Sequence, residues 1–317
     1  MTTTTRLPEA RVRAPRARTP LRPAGTRSRI GWAGYAFVLP GFALYALVML
    51  YPTVQTFLMS LREWNIVPGA ESPWVGFENY ARAFADPDLQ VALVNAVVYT
   101  AVTVPLQIVI GLGIAVLLDS KLPGRTVYRV LFYLPVVTSW VVVSLLFQFI
   151  FSSAETGLAN ALLIDVAQVR EDPIAWFLER WTSYVAICAL GVWKGLGWAM
   201  LIFLAALTGV SRELHEAAAL DGANAWQRFR HVSLPSIRSA LAVVVILLVI
   251  GGFNVFISVL LITGGANDAQ VPLTMMYDEA FRFLDFGYGS AISFSLTLLV
   301  LALSALQYWW TRRKTTL

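Results

Sequence analysis

A chain of 317 residues that is 57% hydrophobic and only 14% charged, with a mean hydropathy of +0.65, belongs with membrane proteins and not with soluble domains of that length. Its single cysteine, Cys188, excludes an intrachain disulfide, and its two histidines, His215 and His231, have no cysteine or acidic partner at metal-ligand spacing. A formal charge of +5 invites a nucleic-acid partner, but the positive residues flank apolar segments instead of gathering on one face, so none is expected.

Residues 1–30 hold eight arginines, four prolines and one glutamate, the composition of a disordered basic tail. The apolar run that follows is too long for the core of a cleaved signal peptide, so the tail is expected to flank a membrane segment on its cytoplasmic side. A helix needs roughly 20 apolar residues to cross a bilayer. Six stretches qualify: 32–61, 91–118, 126–151, 182–209, 240–262 and 289–310. They predict an all-α polytopic membrane protein with six transmembrane helices in one domain, 31–317. Prolines at 40, 52, 105 and 135 and the Gly251-Gly252 pair interrupt these runs, as in a packed bundle around a pathway.

Of the 24 Lys and Arg residues, 18 lie in the tail, in 119–131, in 211–238 and at the C-terminus, and 5 lie in the alternate loops. The positive-inside rule then puts both termini and the 211–238 loop in the cytoplasm. The opposite loops are acidic and not simple turns. Apolar residues at helical spacing (Leu158, Leu162, Val166; Met275, Met276, Ala280, Phe283) predict short interfacial helices over 158–169 and 271–284, which either brace the outer mouth or sit at the headgroups.

Lys194 is the one charged side chain near the middle of a predicted span, where a cation costs a few kcal/mol and so must face water or a partner. It either contacts what passes through the bundle or bonds neighbouring carbonyls. Asn95, Gln107, Gln148 and Asn254 either line a pathway or, as expected for each, hold helices together. Trp140, Trp193 and Trp198 either stack on sugar faces or serve as packing and interface anchors.

The stretch from Ser211 to Arg238 is a polar, helix-prone island between two apolar runs. Ser211 is placed to N-cap a short helix, and Gly222 to end it in the left-handed conformation. Asn224 with Gln227 forms a capping box for a second helix, which carries Trp226 and Phe229 three apart. The segment closes on Leu234-Pro235. Such a bent helical pair presents a surface. Asp221 is either a partner contact or a local cap.

No metalloprotease His-Glu-x-x-His, nucleophile elbow or phosphate-binding Gly-x-x-x-x-Gly-Lys-Ser/Thr occurs, so no cofactor, metal or catalytic residue is expected and any ATP energy must come from another chain. Glu216-Ala217-Ala218, Asp221-Gly222-Ala223 and Leu234-Pro235 resemble the Glu-Ala-Ala loop of permease subunits in binding-protein-dependent ABC importers. Gly76-Phe77-Glu78-Asn79-Tyr80, Trp193-Lys194, Thr263-Gly264-Gly265 and Gly287-Tyr288-Gly289-Ser290-Ala291 extend the likeness to the carbohydrate-uptake branch, the maltose and glycerol-3-phosphate type. Ser239 and Ala266 stand where that branch often has proline.

The resemblance implies a type I ABC importer permease fold in a bacterial inner membrane, without ATPase activity of its own. It also implies a second permease, two ATPase subunits, an extracytoplasmic sugar-binding protein and a sugar substrate. Glu216, Ala217, Ala218, Asp221, Gly222, Ala223, Leu234 and Pro235 become the ATPase-coupling residues, and Lys194, Asn254 and Trp140 the candidates for the substrate pathway. The rival readings are a permease of the same architecture for glycerol phosphate, amino acids or peptides, and an ion-driven secondary transporter. The latter class usually carries midplane carboxylates, and no Asp or Glu falls inside a predicted span.

Overall fold

The computed structural model describes residues 32–67, 69–120, 122–154, 157–169 and 171–315. The basic tail expected at 1–30 lies outside them. Among the described residues, 32–52 and 53–315 form two compact units. In the first, α1 (Trp32–Tyr45) carries Pro40 and passes into a π-helical turn, Ala46–Leu50. With α2 (Tyr51–Ser60) it completes a candidate span over Gly34–Ser60, close to the expected 32–61.

The second unit begins within α2 and continues with α3 (Glu78–Ala85) and α4 (Pro87–Asp119). α4 starts ahead of the expected 91 because Asp86 caps it, its Oδ1 accepting from Asp88 N at 2.9 Å, with Pro87 at the first helical position. The expected single span over 126–151 is instead two helices, α5 (Arg125–Val137) and α6 (Trp140–Ile150), bent by 96°. Pro135 removes a backbone donor from the last turn of α5, and Thr138 (ψ 151) and Ser139 (ψ 134) are extended. The Thr138 hydroxyl donates to Pro135 O at 2.6 Å, which closes the turn.

α7 (Leu158–Ala161) runs into a π-helical turn, Leu162–Val166, so the helix expected over 158–169 is present but short. α8 (Arg180–Thr208) is followed by α9 (Arg212–Leu220), α10 (Ala225–Arg228) and α11 (Leu234–Ser236). α12 (Arg238–Phe253) and α13 (Ile257–Ile262) form the fifth span, with a turn at Asn254. α14 (Pro272–Tyr277) and the turn Asp278–Arg282 supply the helical structure expected over 271–284, and α15 (Phe286–Thr315) ends the bundle. Among the described residues five helical stretches are long and apolar enough to cross a bilayer, six with the bent pair taken as one span.

α4 and α8 form the centre. α12 packs on α4, α5 on α8, α6 on α13, and α15 on α12 and α14. In lipid such contacts depend on close packing and polar glue, since apolar side chains gain little by leaving hydrocarbon for protein. Gly197 shows the packing: a Cβ there would fall 2.6 Å from Phe132 O, so α8 meets α5 backbone to backbone. Asn95, Gln107 and Gln148 supply the glue, Asn95 donating to Asp268 O in the segment between α13 and α14, Gln107 to Gly191 O of α8 and Gln148 to Leu261 O of α13. Cys188 is a buried, free thiol in this core.

Candidate functional site

The loop between α8 and α12 takes the shape its local chemistry dictates. Ser211 Oγ accepts from Glu213 N at 3.2 Å and starts α9. Gly222 ends it at φ +81, with Ala223 N donating to Ala218 O at 2.9 Å and Gly222 N to Ala219 O at 3.1 Å, a Schellman closure. Asn224 and Gln227 exchange side chain-to-backbone hydrogen bonds of 2.8 and 2.9 Å, so the capping box forms. The rings of Trp226 and Phe229 lie 5.5 Å apart on the next turn.

From there a π-helical turn, Phe229–Ser233, carries the chain through Leu234 and Pro235 to Ile237. Ile237 is fully buried among Leu118, Phe203, Leu207 and Val244. Val210 at the other end packs on the same cluster, so both ends of the loop are anchored in the bundle. Its middle is apolar where water would be expected to select polar residues: Leu220 is 90% exposed and Trp226 66%. Glu216 and Asp221 are exposed beside them, and neither carboxylate has a hydrogen-bond or ion-pair partner among the described residues; Asp221 occupies the C-cap position of α9 through its backbone N–H, and its side chain makes no capping bond. A hollow of about 310 Å³ lies between Asp221, Gly222 and Ala223 on one side and Gln227 and His231 on the other.

A second concavity lies inside the bundle. About 330 Å³ opens between Tyr99 and Gln107 of α4, Trp140 of α6, Trp198 of α8 and the Gly251-Gly252 pair of α12. Its walls are mostly apolar, with the Gln107 amide held in place by its bond to Gly191 O at 3.0 Å. Trp193 instead faces Phe147, ring centres 5.9 Å apart, as packing.

Lys194 takes the second of the two roles expected of it. Its buried ammonium donates to Pro135 O at 2.8 Å and Thr138 O at 2.6 Å and lies 4.8 Å from the centre of the Trp140 ring. Asn254 is exposed and its amide bonds back to Ile250 O at 2.9 Å; it neither joins two helices nor lines this cavity. Tyr99, Gln107 and Trp198 join Trp140 at the cavity only through the tertiary structure. The sequence signal for them was a polar or aromatic group inside an apolar span, which packing residues share.

Residues 76–316 match the family described as binding-protein-dependent transport system inner membrane component. The chain belongs to that family. The permease is 34% identical to the probable ABC transporter permease protein YurN of Bacillus subtilis, over 86% of this chain and 94% of that protein. It is 32% identical to the arabinooligosaccharides transport system permease protein AraP of the same organism (86% of each chain) and 32% identical to the lactose transport system permease protein LacF of Rhizobium radiobacter (89% and 94%). A chain of a bacterial ABC transporter involved in import of the acidic polysaccharide alginate shares the fold, with a TM-score of 0.78 at 21% identity over 89% of this permease and 96% of that chain. The permease is therefore a multi-pass membrane protein with the type I ABC importer fold.

Proposed function

We propose that this permease forms half of the translocation pathway of an ATP-driven sugar importer in a bacterial inner membrane. Its own part is alternating access, while a separate pair of ATPase subunits hydrolyses ATP. A second permease completes the pathway and an extracytoplasmic binding protein delivers the sugar. The observation that carries this reading is the loop at Ser211–Arg238: exposed leucine, tryptophan and two unpartnered carboxylates on a rigid bend, anchored through Ile237 into three spans. An aqueous apolar patch with free carboxylates marks a protein partner.

Glu216 to Ala223 form the docking element, with small residues at 217, 218, 219 and 223 that let a partner's backbone approach. Leu234 and Pro235 belong to the strut that carries movement into α12. The Lys and Arg distribution places this loop and both termini in the cytoplasm and the acidic loops outside. Loaded binding protein docks on those outer loops, ATP closes the ATPase pair, the coupling loops approach, and the cavity opens outward; hydrolysis reverses the movement.

A sugar is the substrate class that suits the cavity, because an indole face suits the apolar C–H side of a pyranose and Trp140 and Trp198 both reach its wall. Relatives named for arabinooligosaccharides, lactose and trehalose/maltose support the same class. The test is ATP-dependent uptake in proteoliposomes holding both permeases, the ATPases and the binding protein, offered lactose, maltose, trehalose and an arabinooligosaccharide. Vanadate-sensitive uptake of a member of this panel is expected. Uptake that survives vanadate would overturn ATP coupling, and uptake of an amino acid in preference to the whole panel would overturn the sugar.

A further inference from the structure

Lys194 belongs to none of the ion pairs among the described residues, although it is only 3% exposed within a span. Its counter-charge is the end of a helix. The last carbonyls of α5 carry a partial negative charge of about half an electron, and among the residues at that end Pro135 is buried. Two donors of the ammonium go to Pro135 O and Thr138 O, and the third faces Thr138 Oγ1 at 3.4 Å. One turn further along α8, the close approach of Gly197 to Phe132 O sets the register that lets Lys194 reach the elbow.

The next helix starts at Trp140, and the ammonium lies on the face of its indole. A desolvated cation over the ring attracts its electron-rich face and so favours one orientation.

We infer that Lys194 is a positioning residue of the bundle cavity: it closes the end of α5, fixes the elbow at Thr138 and Ser139, and holds the Trp140 indole in the cavity wall without touching what passes. The role rests on the cavity being the translocation pathway. It makes the elbow and the cavity wall one unit, so that any movement of α8 against α5 is felt at Trp140.

The test uses the full chain assembled with its partners. Subtracting the fluorescence of a Trp140→Phe assembly from that of the parent isolates the Trp140 component, and the same subtraction is made in Lys194→Met, Lys194→Arg and Lys194→Gln backgrounds. Lys194→Met is expected to red-shift that component and make it more readily quenched by acrylamide, while Lys194→Arg, which keeps the cation, retains the parental component. Lys194→Gln keeps an N–H donor for the elbow carbonyls, one bond shorter, and removes the charge. It is expected to assemble even where Lys194→Met does not, and still to shift the component. A component unmoved in Lys194→Gln overturns the inference.

In uptake of whichever panel sugar the binding protein delivers, Lys194→Gln should raise KM on the order of tenfold with kcat nearly unchanged. Trp140→Ala should do the same, and the double variant should be no worse than Trp140→Ala alone. Additive losses in the double variant would show Lys194 acting elsewhere and overturn the inference. A shifted component together with a parental KM in Trp140→Ala would support the positioning and refute the pathway reading on which it was placed.

Discussion

Nε of Arg180, in the first turn of α8, donates to Oδ1 of Asn95 on α4 at 2.8 Å. The same amide donates from Nδ2 to Asp268 O at 2.7 Å and Gln270 O at 2.6 Å, and Asn95 is wholly buried. One side chain thus ties two central helices to the segment between α13 and α14. Asn95→Leu leaves the Asp268 and Gln270 carbonyls without that donor and Arg180 Nε without its acceptor, at a cost of about 3 kcal/mol. A clear fall in Tm of the detergent-solubilised protein is expected, and a parental Tm would show that the hub adds no stability.

The contact of Gly197 with Phe132 O predicts a contrast between two glycines. Gly197→Ala forces α5 and α8 apart and should destabilise by about 1–3 kcal/mol. At Gly113, in α4, a Cβ meets nothing within 4 Å, so Gly113→Ala should be neutral or slightly stabilising through helix propensity. Thermal melts of the two variants side by side decide the point. Equal effects would mean that the α5–α8 contact is not tight.

In the segment before α15, burial lifts the Glu279 carboxyl above its ordinary value. Arg82, 3.8 Å away, draws it back down, while Asp285, Asp86 and Asp278 push it further up. A carboxyl raised in the folded state contributes stability that is fully present below its unfolded value and is lost as pH rises through the folded one. The permease should therefore melt at a higher temperature in mild acid than at neutral pH by the share due to this group. Glu279→Gln should flatten that dependence and leave neutral-pH stability no lower. An unchanged pH profile in Glu279→Gln would assign the dependence to other groups.

At the loop, Gly222 occupies φ +81 and Glu216 is exposed. Gly222→Asp strains the bend by about 1–2 kcal/mol, too little to prevent insertion but enough to misplace the docking surface. Glu216→Lys leaves the backbone alone and reverses one charge. Both should yield normal amounts of membrane-inserted permease with ATP-driven uptake reduced at least about tenfold. Parental uptake together with parental stimulation of the ATPases by loaded binding protein would remove the coupling role.

The spans were legible in the sequence because a bilayer imposes a minimum length on an apolar helix, and five of the six expected stretches appear within a few residues of their bounds. The third did so only as a bent pair: Pro135 marked an interruption in an otherwise apolar run, and only the extended backbone at Thr138 and Ser139 reveals how sharply the chain turns there. The caps at Ser211, Gly222 and Asn224 were legible because each bond joins residues two to five apart in the chain. For Lys194 the sequence offered two roles, and its carbonyl partners lie 56 and 59 residues away.

The sequence by itself determined the membrane class, the number of apolar runs, the charge asymmetry across them and the bent surface of the 211–238 loop. All of these follow from composition or from bonds between near neighbours, which do not depend on how the helices pack. Only the tertiary structure decided where the third span breaks, which tryptophans reach the cavity, and that Asn95 and Lys194 act on carbonyls of distant segments. Those outcomes depend on which helices meet and in what register, and in lipid that is settled by close approach at residues such as Gly197 and by buried donors finding acceptors, not by hydrophobicity along the chain.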